Sequence, residues 1–198
     1  MPTNDYHFIT QWRVPGTVAE VVEILGDAPG LARWWPSVYL QVRQLAAGDA
    51  RGVGKVMDLT TKGWLPYTLR WQFEVTEKYE DGFRLEASGD FVGRGIWTFA
   101  QDGPASRVLI KYDWKILAEK PMLRDFSFIM KPIFGANHRW AMARGEESLK
   151  LELARRHAGS EAERALIPPP PATKVPVGLP VFGLLATAAV VWLMTRRD

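Results

Sequence analysis

His138 is the first residue in this sequence to weigh for chemistry. It falls on the apolar side of the last helical pattern, next to Asn137, and Tyr112 stands on the apolar side of a strand pattern upstream. An imidazole so placed can orient a ligand carbonyl or exchange a proton, helped by Tyr112 or Asn137. The competing reading is a buried histidine satisfied by one hydrogen bond. No carboxylate is fixed beside it by sequence, so no triad is read; His138 and Tyr112 stand as candidate catalytic residues, with Arg94 as a further polar group.

Other chemistries find little support. The chain has no cysteine, which removes disulfides, thiolate nucleophiles and cysteine metal sites together. His7, His138 and His157 lie far apart without metal-ligand spacing, so no metal is expected. Arg51-Gly52-Val53-Gly54-Lys55 lacks the glycine spacing of a phosphate loop and the hydroxyl after its lysine; it reads as a turn feeding a strand. Asp58, Glu74, Glu77 and Glu86 fall on alternate or solvent faces and form no acid–base pair. Nothing points to a redox cofactor, and none is expected.

The elements that must position these residues are mostly strands. Tyr67, Leu69, Trp71, Phe73 and Val75 alternate with polar neighbours, as do Val108 to Ile116, Phe91 to Phe99 and the shorter Phe83 to Ala87. Asp81-Gly82 and Asp102-Gly103 join neighbours as hairpins, so the sheet is expected to be antiparallel. Tyr6 to Val14 gives a first strand, and two more are expected around 37–45 and 54–61.

Between the first strand and these, Thr17 and Glu20 form a capping box before the stripe Val18, Val21, Val22 and Leu25, and a short helix is expected over Pro29 to Trp34. A long terminal helix begins near Met122, is bent or broken at Pro132 and Gly135, and runs on to His157; Gly145 on its apolar face would permit close approach to a sheet. Phe126 to Pro132, apolar on almost all sides, is read as a cavity gate, a bilayer contact or a plain core helix start. The expected class is α+β: seven curved antiparallel strands around a long helix, a helix-grip fold.

Ala32-Arg33-Trp34-Trp35-Pro36, Gly52-Val53-Gly54, Gly89-Asp90-Phe91-Val92-Gly93 leading to Trp97, and Asn137-His138-Arg139-Trp140-Ala141-Met142 with Gly145-Glu146 follow one another in order. In that order, over nearly all of residues 1–157, the sequence resembles the START-related superfamily of polyketide cyclases, lipid-transfer domains and birch-pollen-allergen-like carriers. The resemblance implies a deep cavity for a hydrophobic small molecule, without implying one reaction.

Nine tryptophans are heavy use for 198 residues, and Trp12, Trp71, Trp97 and Trp114 all stand on apolar strand faces, which as a group favours a cavity over plain packing. The expected cavity residues are Trp34, Trp71, Phe73, Phe91, Trp97, Tyr112, Trp114, His138 and Met142.

Residues 158–174 have a linker composition, with four prolines in a row at 168–171. Val175 to Met194 carries no charge, is flanked by Lys174 and Arg196-Arg197, and is long enough for a membrane span; a transmembrane anchor is expected over 175–195. No secretory signal opens the sequence, so the globular part is expected in the cytoplasm, held by a single C-terminal pass. Three of the 25 cations and one of the 22 acids follow residue 167, which leaves the folded part within one charge of neutral and gives no basic stripe for nucleic acid. The functional expectation is membrane-tethered binding or transport of a lipid, quinone or polyketide-like molecule. A cyclase or aromatase enzyme and a membrane-localised interaction module are the alternatives.

Overall fold

Period-two alternation becomes a sheet here because each long strand has one face to bury. In the computed structural model, which describes residues 4–103, 107–120 and 127–173, seven strands form a single sheet. They are β1 (Asp5–Pro15), β2 (Tyr39–Ala47), β3 (Lys55–Lys62), β4 (Thr68–Tyr79), β5 (Gly82–Gly89), β6 (Phe91–Gln101) and β7 (Arg107–Ala118), in spatial order β1-β7-β6-β5-β4-β3-β2. Every pairing is antiparallel, as the turn signals require. Register shifts at Tyr39/Gln41, Gln44/Ala46 and Val75/Glu77 are irregularities of the kind that bend a strand.

Between β1 and β2 lie α1 (Val18–Gly26), a 3₁₀ turn at Ala28–Gly30 and α2 (Leu31–Trp34). The capping box is present: the Thr17 hydroxyl accepts from the Glu20 amide at 3.3 Å, and the Thr17 amide donates to Glu20 Oε2 at 2.8 Å. The single short helix expected over 29–34 is divided, because Pro29 sits in the 3₁₀ turn and only four residues remain for α2.

The long helix α3 (Ser127–His157) runs unbroken through Pro132. Six residues into a helix, a proline removes one amide donor without ending the run. Met122 and Phe126, where the apolar stripe was expected to begin, lie outside the described residues, as does the anchor at 175–195; the side chains of 126–130 are outside them too. Among the described residues no helix is long and apolar enough to cross a membrane.

The two halves of α3 do different things. In the C-terminal half Leu149 and Leu153 are fully buried, while Arg156 meets Glu23 at 2.9 Å and His157 meets Glu20 at 2.6 Å, which docks the last turn on α1. In the N-terminal half Phe134, Asn137, His138, Ala141 and Met142 face a space that the sheet does not fill. Gly145 stands between the halves and does permit a close approach, to an indole rather than to the sheet. A Cβ there would come within 2.3 Å of the Trp35 indole.

After α3, Ser160 caps a short helix α4 (Glu161–Leu166), its hydroxyl accepting from the Glu163 amide at 3.2 Å. The segment after it lies back along the domain: Arg155 donates to the Pro168 carbonyl, and the Thr173 hydroxyl to that of Ser37.

Candidate functional site

The space between the concave face of the sheet and α3 is a cavity of about 150 Å³. Its sheet wall is aromatic. Trp97 on β6 and Tyr112 on β7 are register partners whose rings stack 4.0 Å apart, 15° from parallel, and Trp114 continues the stack at 5.5 Å and 22°. Gly95 makes room for this row, since a Cβ there would meet Tyr112 and Trp114 at 2.8 and 2.9 Å. Trp71, Phe73 and Phe91 extend the wall across β4 and β6.

Eight of the nine expected cavity residues line it: Trp71, Phe73, Phe91, Trp97, Tyr112, Trp114, His138 and Met142. Trp34 does not. It is 1% exposed and packs in the core beside Trp35, and Trp35 is the member of the pair that faces the cavity. The reason is local: α2 ends at Trp34, and the non-helical backbone of Trp35 turns its indole toward α3. Trp12 is likewise packed in the core, against Trp35 and Trp97, and does not line the cavity.

The uncharged polar side chains of the wall are few. Asn137 Oδ1 accepts from the Trp64 amide at 2.9 Å and, more weakly, from the Leu65 amide at 3.4 Å, so this side chain pins the β3–β4 loop to α3. Thr61 accepts from the Trp71 indole N–H at 3.0 Å. Tyr39 and Tyr112 both line the cavity, and neither hydroxyl has a hydrogen-bond partner among the described residues. Burial raises the pKa of both phenols, so they are neutral donors at any physiological pH. The Trp35 indole N–H is also buried, without an acceptor among the described residues.

His138 does not meet Tyr112 or Asn137 through a hydrogen bond. Its Nε2 lies 3.4 Å from the Thr10 hydroxyl and its ring stacks on Phe8, with centroids 4.1 Å apart. Burial, helped by the charge of Arg139, lowers its pKa to about 4. At neutral pH it is an uncharged imidazole, able to accept or donate one hydrogen bond but a weak base. Arg94 pairs in register with Lys115 and is absent from the cavity wall.

Sequence reasoning missed Trp35, Tyr39 and Lys62. Tyr39 opens β2, an edge strand with no clean alternation, and Lys62 ends β3 where alternation would turn it outward. The carboxylates behave as surface groups: Asp58 pairs with Arg43 at 3.1 Å, and Glu77 and Glu86 share Arg84 at 3.2 and 2.6 Å. Among the described residues no three potential metal ligands gather.

No family model matches the sequence, and no curated protein matches it. Solved structures do resemble it. An aromatase/cyclase from a Streptomyces species superposes with a TM-score of 0.61 at 18% identity, over 79% of this chain and 98% of that one. A START superfamily protein from Mycobacterium smegmatis gives 0.54 at 14%, over 72% and 98%. Norcoclaurine synthase from Thalictrum flavum gives 0.53 at 16%, over 77% and 97%. At such identities the likeness shows the fold alone: a seven-stranded helix-grip domain.

Proposed function

We propose that this START-like domain binds a small, ring-bearing apolar molecule in its cavity, and that the C-terminal segment tethers it to a membrane. One observation carries the first part: an aromatic-walled space offers two phenol hydroxyls with no partner among the described residues. Buried polar groups are ordinarily satisfied, so unpartnered donors on a cavity wall fit a ligand that completes them. The cavity is well above the few tens of Å³ that a closed, packed interaction module would have.

Size narrows the ligand. An apolar cavity of about 150 Å³ takes a single aromatic ring, on the order of benzene. A multi-ring polyketide needs the larger volumes typical of drug-sized sites, roughly 300 Å³ and above. A long acyl chain fits only if part of it extends beyond the rim.

A cyclase-type enzyme is the second reading, favoured by one specific feature: His138 stands on the wall within reach of whatever occupies the space. Its lowered pKa argues against it as a general base, because an effective base titrates near the operating pH. The carrier reading is therefore preferred.

Native mass spectrometry of the full chain, released from detergent micelles in the gas phase and followed by organic extraction, tests this. A stoichiometric ring-bearing molecule supports the carrier and identifies its ligand class. A chain that carries nothing and binds no small aromatic probe removes the reading. If a substrate is found, loss of turnover with retained affinity in His138→Ala would move weight to the enzyme.

A further inference from the structure

The charges on the cavity wall are of one sign. Arg51, Lys55, Lys62 and Lys78 line it, and among the described residues no aspartate or glutamate does. The folded domain as a whole is nearly balanced, so this asymmetry belongs to the cavity and not to the composition.

The four cations are not equivalent. Arg51 and Lys78 are exposed at one end, where water solvates them. Lys55 donates to the Gly26 carbonyl at 3.0 Å. Lys62 lies at the far end of β3, beside Gly63 and Asn137, and is 6% exposed; among the described residues its side chain has neither an ion pair nor a hydrogen bond. The Lys62 stem is packed, while its ammonium nitrogen is not among the fully enclosed polar atoms that lack a partner, so the head keeps accessible surface at the cavity wall. Among the described residues no carboxylate lines the wall beside it.

We infer that the cavity ligand is an organic anion, a ring bearing a carboxylate, whose charge is held by Lys62 while its ring lies along Trp97, Tyr112 and Trp114. This rests on the apolar-ligand reading and deepens it. The exposed cations at the other end add a field that favours an anion without holding it. A charge-assisted hydrogen bond in a water-poor site is about twice as strong as a neutral one, so the carboxylate is expected to discriminate strongly against its uncharged counterpart.

The test is calorimetric titration of the full chain in detergent micelles with phenylpropanoate and with phenylpropanamide, which share shape and differ in charge. The acid is expected to bind at least roughly tenfold more tightly. Lys62→Met, which keeps the length and removes the charge, is expected to abolish that preference; the double variant Arg51→Met, Lys78→Met is expected to keep it. Equal affinities in the wild type would overturn the anion inference and leave the apolar cavity standing. Binding of neither compound would overturn both. A preference that survives Lys62→Met and disappears in the double variant would overturn the assignment to Lys62. The wild-type comparison needs no variant, so the inference stays testable even if Lys62→Met fails to fold.

Discussion

The Tyr112 phenol lies flat on the Trp97 indole, 4.0 Å away, because their strands pair in register and Gly95, two residues before Trp97, leaves the space beside the rings empty of side chain. The wall of the cavity is thus set by a residue with no side chain of its own.

Gly95→Ala is expected to disturb both stability and binding. Its backbone does not require glycine, but the new Cβ would come within 2.8 Å of Tyr112 and 2.9 Å of Trp114, closer than packed carbons allow. Overpacking of this kind costs about 1–3 kcal/mol and pushes the rings into the cavity. Urea unfolding and near-ultraviolet circular dichroism report the two effects separately. Unchanged stability and an unchanged aromatic signal would mean that the row of rings has slack it does not show.

His138 is expected to make the fold acid-sensitive. Its pKa is about 4 in the folded chain against 6.5 for a free imidazole, so between those values the unfolded chain takes up the proton first. Stability is therefore complete above about pH 6.5 and declines as pH falls toward 4, by up to about 3 kcal/mol for this one group. Arg139 repels the charged form, and the Thr10 hydroxyl is the side-chain polar contact facing it from β1. His138→Phe keeps a ring on Phe8 and removes the titration. Urea midpoints at neutral pH and near pH 4.5 should then differ less for the variant than for the wild type; an equal acid loss in both would place the sensitivity elsewhere, for example at Glu20, whose lowered carboxyl pKa, set first by the Thr17 amide, acts in the same direction.

The strands were legible because burial on one face writes a period of two into β1, β4, β6 and β7. β2 was less so: it is the edge strand and exposes most of its residues, and little selects its side chains by face. Within the site, the expected residues on β4, β6, β7 and α3 face the cavity, whereas Trp34 packs in the core and its unnamed neighbour Trp35 faces the space, because the end of a four-residue helix decides between them. Lys62 was invisible for a similar reason, since alternation stops being a guide where a strand ends. Pairings across elements, such as His138 with Thr10 or Asn137 with the Trp64 amide, depend on how α3 lies over the sheet, and no local pattern encodes that.

Arg33 and Glu152 offer an asymmetric test of what fixes α2 to α3. The guanidinium makes two bonds of 2.9 Å to a carboxylate that is 7% exposed, while Arg33 itself is 59% exposed. Arg33→Met strands a buried anion with only Arg156, 3.9 Å away, and is expected to cost about 2 kcal/mol. Glu152→Gln leaves an arginine that water can solvate and is expected to cost less. Chemical unfolding of the two variants checks the order; the reverse order would show that Arg156 alone satisfies Glu152.

The tether is tested by ending the chain at Thr173. That truncation keeps the contact of the Thr173 hydroxyl with the Ser37 carbonyl and removes the uncharged stretch of 20 residues from Val175 to Met194. A stretch of that length and composition matches the apolar thickness of a bilayer. The full chain is therefore expected to sediment with membranes, to resist extraction at high pH and to dissolve in detergent, whereas the truncated chain stays in the supernatant. The point of departure matters to the cavity as well: Ser37 lies between Trp35 and Tyr39, both of which line it, so a tether leaving from Thr173 would hold this wall near the bilayer. If the full chain remains in the supernatant, the anchor is wrong and the ligand must reach the cavity through water, which would favour the smaller and more soluble anions among those proposed.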